Sequence, residues 1–270
     1  MIAYVSTVNV ILYVILTIIS ICLVFIFTLK SRKIWMDKQT DKALIKLEDY
    51  FTYIQAHIDS DDPLRTPHYK LKGHERYVIQ EKLIVWIEHF KGSHREKLIK
   101  LCEDLGLIQH DLARLHSPLP WMKLGVIYNL GAMRSDQAIP RLLKLLVTPK
   151  YEPIVFIIAR SIAKCALNAE HLREMVLFLT SHRKNVHHLV IDIIKESEVD
   201  CTPLMVEFLQ EDDNDMIKVG LVGLPVYMVP NVVPVLYRLL HSEDEEIRLN
   251  AVKLLSSNNR LIPPGYAMAV

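Results

Sequence analysis

Twelve histidines and four cysteines are the side chains best suited to hold a metal or attack a substrate, so their spacing bounds the chemistry open to this chain. His89 and His94 are five residues apart, which does not put two side chains on one helical face, and Gly92-Ser93 breaks any helix between them. His187 and His188 are adjacent, and neighbours on a helix point to different faces. His74-Glu75 is the one His-Glu dipeptide, at the end of a stretch that reads as loop. Cys22, Cys102, Cys165 and Cys201 stand singly, without a C-x-x-C, as free thiols of a reducing compartment do. There is no phosphate-binding glycine loop, no nucleophile elbow and no His-Glu-x-x-His. No catalytic residue, metal ligand or cofactor is expected.

The elements that would carry any site are helices, and they recur. Leucine-ended runs close at Leu146, Leu179, Leu209 and Leu240, separated by 33, 30 and 31 residues. A second marker, Lys123, Phe156, His188, Lys218 and Arg248, advances by 33, 32, 30 and 30. Such a period marks stacked helix pairs, each unable to bury its apolar face without its neighbours. The architecture this implies is all-α, a solenoid of about four and a half units over residues 121–270.

Apolar residues make up 51% of the 270, which argues against long disordered segments. The net charge of +1 is unevenly spread: +2 over residues 30–120, +6 over 121–195 and −7 over 196–270. This pattern predicts two electrostatically distinct surfaces. A sequence pI near 7.7 and a membrane anchor count against nucleic acid as a partner.

Residues 1–29 contain no Asp, Glu, Lys, Arg or His. Val10 to Leu29 suffices, at about 1.5 Å per residue, to span a hydrocarbon core of roughly 30 Å. The basic residues Lys30, Arg32, Lys33 and Lys38 follow the apolar run, the reverse of a cleaved signal peptide. The positive-inside bias then places the N-terminus outside and the rest of the chain in the cytoplasm, as a single-pass protein.

Residues 30–76 read as a juxtamembrane helix and loop. Leu44, Leu47, Phe51, Ile54 and Ile58 make an apolar stripe, and Asp61-Asp62-Pro63, Thr66-Pro67 and Gly73 break it. Residues 77–120 read as a helical cap over the open end of the repeats, with Ser93 as an N-cap and Gly106 ending a helix. Pro225 is expected to kink a later helix. The tail Pro263-Pro264-Gly265 leaves the last unit incomplete.

Two stretches carry a family resemblance. Trp121-Met122-Lys123-Leu124-Gly125-Val126-Ile127-Tyr128-Asn129-Leu130-Gly131-Ala132-Met133, followed by Ala138-Ile139-Pro140-Arg141-Leu142-Leu143, resembles a HEAT repeat. So does Asp244-Glu245-Glu246-Ile247-Arg248-Leu249-Asn250-Ala251-Val252-Lys253-Leu254-Leu255. The resemblance implies a right-handed α-solenoid of HEAT-like helix pairs. It also implies a ladder of charged pairs, here Arg248 with Asp244 and Lys218 with Asp215 or Asp213, broken at Phe156 and His188. The whole layout, with Cys102-Glu103-Asp104-Leu105-Gly106-Leu107 in the cap, looks like membrane-anchored bacterial HEAT proteins. Some of those are encoded beside membrane glycosyltransferases for exopolysaccharide.

The function this implies is a non-enzymatic scaffold binding a membrane-associated protein partner. The groove positions are Trp121, Lys123, Tyr128, Arg160, Lys164, His187, His188 and Lys218. The alternative is a HEAT-like enzyme, either of the phycobilin-lyase type or metal-dependent like deoxyhypusine hydroxylase, whose repeated His-Glu pairs are not found here. The orientation has a direct check. Protease added to inside-out membrane vesicles is expected to digest residues beyond Lys30, and in right-side-out vesicles to leave them intact.

Overall fold

The computed structural model describes residues 2–117, 119–147, 152–224 and 232–257, and among them the chain forms thirteen α-helices, one short 3-10 turn and no strand. It divides into two compact units, residues 1–86 and 87–270. Pro225 and the tail from Asn258 lie outside the described residues.

The first unit is dominated by α1 (Ile2–His57), which contains no glycine or proline and so has nothing to interrupt it. Its N-terminal part is long and apolar enough to cross a membrane, and every described side chain from Leu12 to Leu29 is exposed. The hydroxyls of Thr17, Ser20 and Thr28 donate to the carbonyls of Tyr13, Leu16 and Phe25 at 2.7, 2.9 and 2.7 Å. These polar groups are thereby satisfied within the helix, as an apolar environment requires. Farther along, Ala43, Leu47, Phe51, Ile54 and Ile58 are buried. Leu44, expected in that stripe, is 40% exposed, because the buried face runs one position earlier through Ala43. Phe51 meets the Trp86 ring edge-on at 5.8 Å, and Lys46 bonds Glu75 at 2.7 Å. Glu75 lies in the first turn of α2 (Gly73–His89).

In the second unit, α3 (Ser93–Asp104) and α4 (Leu107–Arg114) come first. Gly106 between them adopts φ +68°, a left-handed conformation that glycine takes without strain. Ser93 is not the N-cap expected of it. Gly92 holds that position, with no side-chain cap bond, and Ser93 is the first helical residue.

Then follow α5 (Pro120–Ala132), α6 (Ile139–Leu146), α7 (Glu152–Cys165), α8 (Ala169–His182), α9 (His187–Ile194), α10 (Thr202–Phe208), α11 (Asn214–Gly223), α12 (Val233–Leu239) and α13 (Glu245–Ser257). The two sequence markers separate onto alternate helices. Lys123, Phe156, His188, Lys218 and Arg248 fall one each on α5, α7, α9, α11 and α13, and the leucine-rich runs fall on α6, α8, α10 and α12. The first set packs in order, α5 on α7, α7 on α9, α9 on α11 and α11 on α13. Leu146, Leu179 and Leu209 are buried, whereas Leu240 is half-buried and Leu236 and Leu239 take the core positions beside it.

Local chemistry sets the helix starts. Proline occupies the first turn of α6, α10 and α12, where its missing N–H costs nothing. Asn168 caps α8 through His171 N–H at 3.1 Å, and Asp213 caps α11 through Asp215 N–H at 2.8 Å.

The closest approach is between α5 and α7. A Cβ on Gly131 would lie 2.7 Å from Ser161 Cα, so only glycine lets the two backbones meet there. That proximity lets Ser161 Oγ donate to the Ile127 carbonyl at 2.9 Å and Cys165 Sγ to the Leu130 carbonyl at 3.4 Å. Gly125, one and a half turns earlier, has no such neighbour. Replacing Gly131 with alanine is therefore expected to destabilise by about 1–3 kcal/mol through overpacking. Gly125→Ala should stabilise by up to about 1 kcal/mol through helix propensity alone. Chemical denaturation of the two variants in detergent checks the contrast.

Candidate functional site

Trp121 and Tyr128 stand two turns apart on α5, on one face of the helix. Both are exposed, at 66% and 51%, which is unusual for large aromatic side chains placed side by side. They overhang a cavity of about 620 Å3 between α5 and α7. Its floor is shallow in side chains because Gly125 and Gly131 line it, and Leu124 and Ile157 make its apolar sides. Arg160 and Lys164 of α7 and Glu196, just past α9, form the polar wall.

That wall is a charge network. Arg160 pairs with Glu196, and Lys164 reaches Glu88 at 3.2 Å and Glu196 at 3.9 Å. Arg134, held at φ +51°, donates to the carbonyls of Lys164 and Glu196 at 3.4 and 3.3 Å. Its guanidinium also lies 3.7 Å from Glu198, which pairs with the buried Arg95. Burial, and next the nearby Arg95 cation, push the Arg134 pKa below its ordinary value. Arg95 is anchored in turn by the carbonyls of Ile87 and Phe90 at 2.9 and 2.8 Å.

A second cluster joins α9, α11 and α13. The rings of His187 and His188 lie 4.6 Å apart, inclined at 48°. They do not diverge as adjacent helical residues were expected to. Side chains lean toward a helix's N-terminus, and these two open α9, so no preceding turn separates them. Glu246 Oε1 sits 3.0 Å from His187 Nε2 but off the line of a hydrogen bond, and neither ring nitrogen of His187 has a bonding partner. Burial lowers the His187 pKa, more than the Glu246 carboxylate raises it. Lys218 Nζ contacts Asp244 Oδ2 at 2.8 Å and Glu246 Oε2 at 3.0 Å. The Asp244 bond raises Lys218's pKa and holds Asp244 below the usual carboxylate range.

Four of the eight expected groove residues thus converge, namely Trp121, Tyr128, Arg160 and Lys164. Lys123 is half-buried and does not line the cavity. His187 and Lys218 are buried, so they present no surface to a partner, and His188 is exposed beside them. The expected ladder pairs are also re-drawn. Lys218 bonds Asp244, just before α13, and not Asp213 or Asp215 at the start of its own helix, where Asp213 caps α11. Arg248 donates to the Ser242 and Glu243 carbonyls at 2.7 and 2.8 Å, while Asp244 accepts from the N–H groups of Glu246 and Ile247. Glu88, Arg95, Arg134, Glu196 and Glu198 carried no periodic signal, since they sit in loops or outside the aligned columns.

The cysteines offer little nucleophilic chemistry. Cys102, Cys165 and Cys201 are buried and Cys22 is exposed, all four as free thiols. Burial pushes the Cys165 thiol up to about 12. No family model matches the chain, and no curated protein matches it either.

Asp244 offers a clean test of its bond to Lys218, since asparagine caps a helix about as well as aspartate. Asp244→Asn should lower stability at neutral pH by about 1–2 kcal/mol, through loss of a charged bond to Lys218. Because the folded-state pKa of Asp244 is depressed, its contribution is full above the unfolded value and is lost as pH falls through the folded one. The gap between wild type and variant, followed by denaturation at a series of pH values, should close on acidification.

Proposed function

We propose that this chain is a membrane-tethered scaffold. In this reading the N-terminal part of α1 crosses the bilayer once with its N-terminus outside. The later helices form a right-handed HEAT-type α-solenoid in the cytoplasm, and the groove between α5 and α7 binds a protein partner. The resemblance of the repeats and of the chain's layout makes that partner a membrane enzyme, such as a glycosyltransferase complex.

The observation that carries this proposal is the pairing of exposed Trp121 and Tyr128 above an apolar cavity walled by Arg160 and Lys164. Aromatic and arginine anchors around a desolvated pocket dominate protein interfaces. The groove chemistry fits a segment with a bulky apolar side chain next to a carboxylate. The apolar group seats against Trp121 and Tyr128, and the carboxylate competes with Glu196 for Arg160 and Lys164. The alternation of markers along the packed row α5–α7–α9–α11–α13 supports the solenoid. So do side-chain bonds that reach about one repeat, such as Arg141 to the Leu112 carbonyl and Arg238 to the Leu209 carbonyl. The long exposed apolar helix supports the tether, which raises the effective concentration at the membrane without a new contact.

A photocrosslinking amino acid at position 121 or 128 of the full-length chain, in its native membrane, tests the groove. Position 252, on exposed Val252, serves as a control. A membrane protein crosslinked from the groove positions, not from 252, and lost when Gly125 is replaced by leucine or residues 1–29 are removed, is the expected result. Crosslinks that ignore Gly125→Leu, or that arise equally from position 252, would sink the proposal.

A further inference from the structure

We propose that His187, His188 and Glu246 form a binding site for a divalent first-row transition-metal ion, with zinc the best fit, that clasps α9 to α13. One ligand atom from each of the three residues lies within 4.8 Å of the other two. Two ligand atoms at about 2.1 Å from a tetrahedral zinc stand about 3.4 Å apart, and His187 Nε2 and Glu246 Oε1 are already at 3.0 Å, so binding requires chiefly that His188 close in. His188 is exposed and can swing to close the remaining gap, while Glu246 is half-buried and held by Lys218. Two imidazoles with one carboxylate form a donor set that suits zinc and its neighbours and not magnesium or calcium, which take oxygen ligands.

Three independent features point to a ligand here. The first is His187 itself, only 4% exposed, with no hydrogen-bond partner on either ring nitrogen. A buried imidazole without a partner carries an unmet cost, and a metal bond to Nε2 would satisfy one of its two nitrogens. The second is the orientation of Glu246. Its Oε2 is held by Lys218 at 3.0 Å while Oε1 is left facing His187, as an outer partner fixes a ligating carboxylate. The third is local charge. The Lys218 ammonium is within 3.0 Å of both Asp244 and Glu246, so the cluster retains a net negative charge that favours a dication. With three protein ligands, the fourth position opens on the exposed side occupied by His188, where water or a partner's carboxylate can complete the shell.

This site is independent of the groove described above and uses none of its lining. The test is cobalt(II) titration of full-length, tag-free protein in detergent after chelator treatment, read by visible absorption. Saturable uptake of one ion, displaced by zinc, is expected for the wild type and for a His182→Ala control. His188→Ala removes an exposed ligand without disturbing packing, and its affinity should fall by at least about tenfold, the loss that even an outer-shell change produces. Zinc should raise the melting temperature of the wild type and not of His188→Ala. Equal uptake by wild type and His188→Ala, or no saturable uptake, overturns the assignment.

Discussion

The absence of one side chain governs the arrangement around the groove. Because Gly131 has no Cβ, α7 can settle against α5 at backbone distance, with Ser161 and Cys165 reaching carbonyls of the facing helix. The approach fixes the relation of the two helices. It also leaves Trp121 and Tyr128 above a floor where two glycines contribute nothing to fill the space. The cavity is thus a by-product of close packing below it. Gly220 and Gly223 repeat the device on α11, where an added Cβ would meet the Met205 carbonyl and side chain.

Charge follows a different logic from the one its distribution along the chain suggests. Some acidic residues from the stretch after residue 195 return to pair with basic ones earlier in the chain. Arg160 pairs with Glu196, Arg134 and Arg95 converge on Glu198, and Arg173 bonds Glu207 and Glu211. Each pair is modest when half-exposed. Their value lies in joining elements distant in sequence, so that packed helices are held by polar contacts as well as by buried leucines.

Much of the helical order was legible from periodicity. The aligned columns Lys123 to Arg248 mark one set of helices, and the leucine runs mark the other. A helix end was legible where glycine demanded it, as at Gly106. What escaped was everything decided by geometry at chain ends and in loops. The turn before α11 offers Lys218 a partner in sequence, but the fold brings Asp244 of a later turn to it instead. The convergence of His187 and His188 depends on their place at the start of α9, where the usual rule for neighbours lapses. Of the groove, the aromatic anchors and the two α7 cations were visible in sequence, but the glutamates that hold them, Glu88 in α2 and Glu196 past α9, lie outside the aligned positions.

The continuity of α1 has a mechanical consequence. No bend separates the apolar portion from residues 30–57, which extend it by about 42 Å at about 1.5 Å per residue. Under the proposed topology, that rod is a lever with its fulcrum in the bilayer. A tilt of about 20°, common for membrane helices, sweeps its far end sideways by about 14 Å. Changes in membrane thickness that alter the tilt would therefore be magnified at His57 into displacements of the size of a helix diameter.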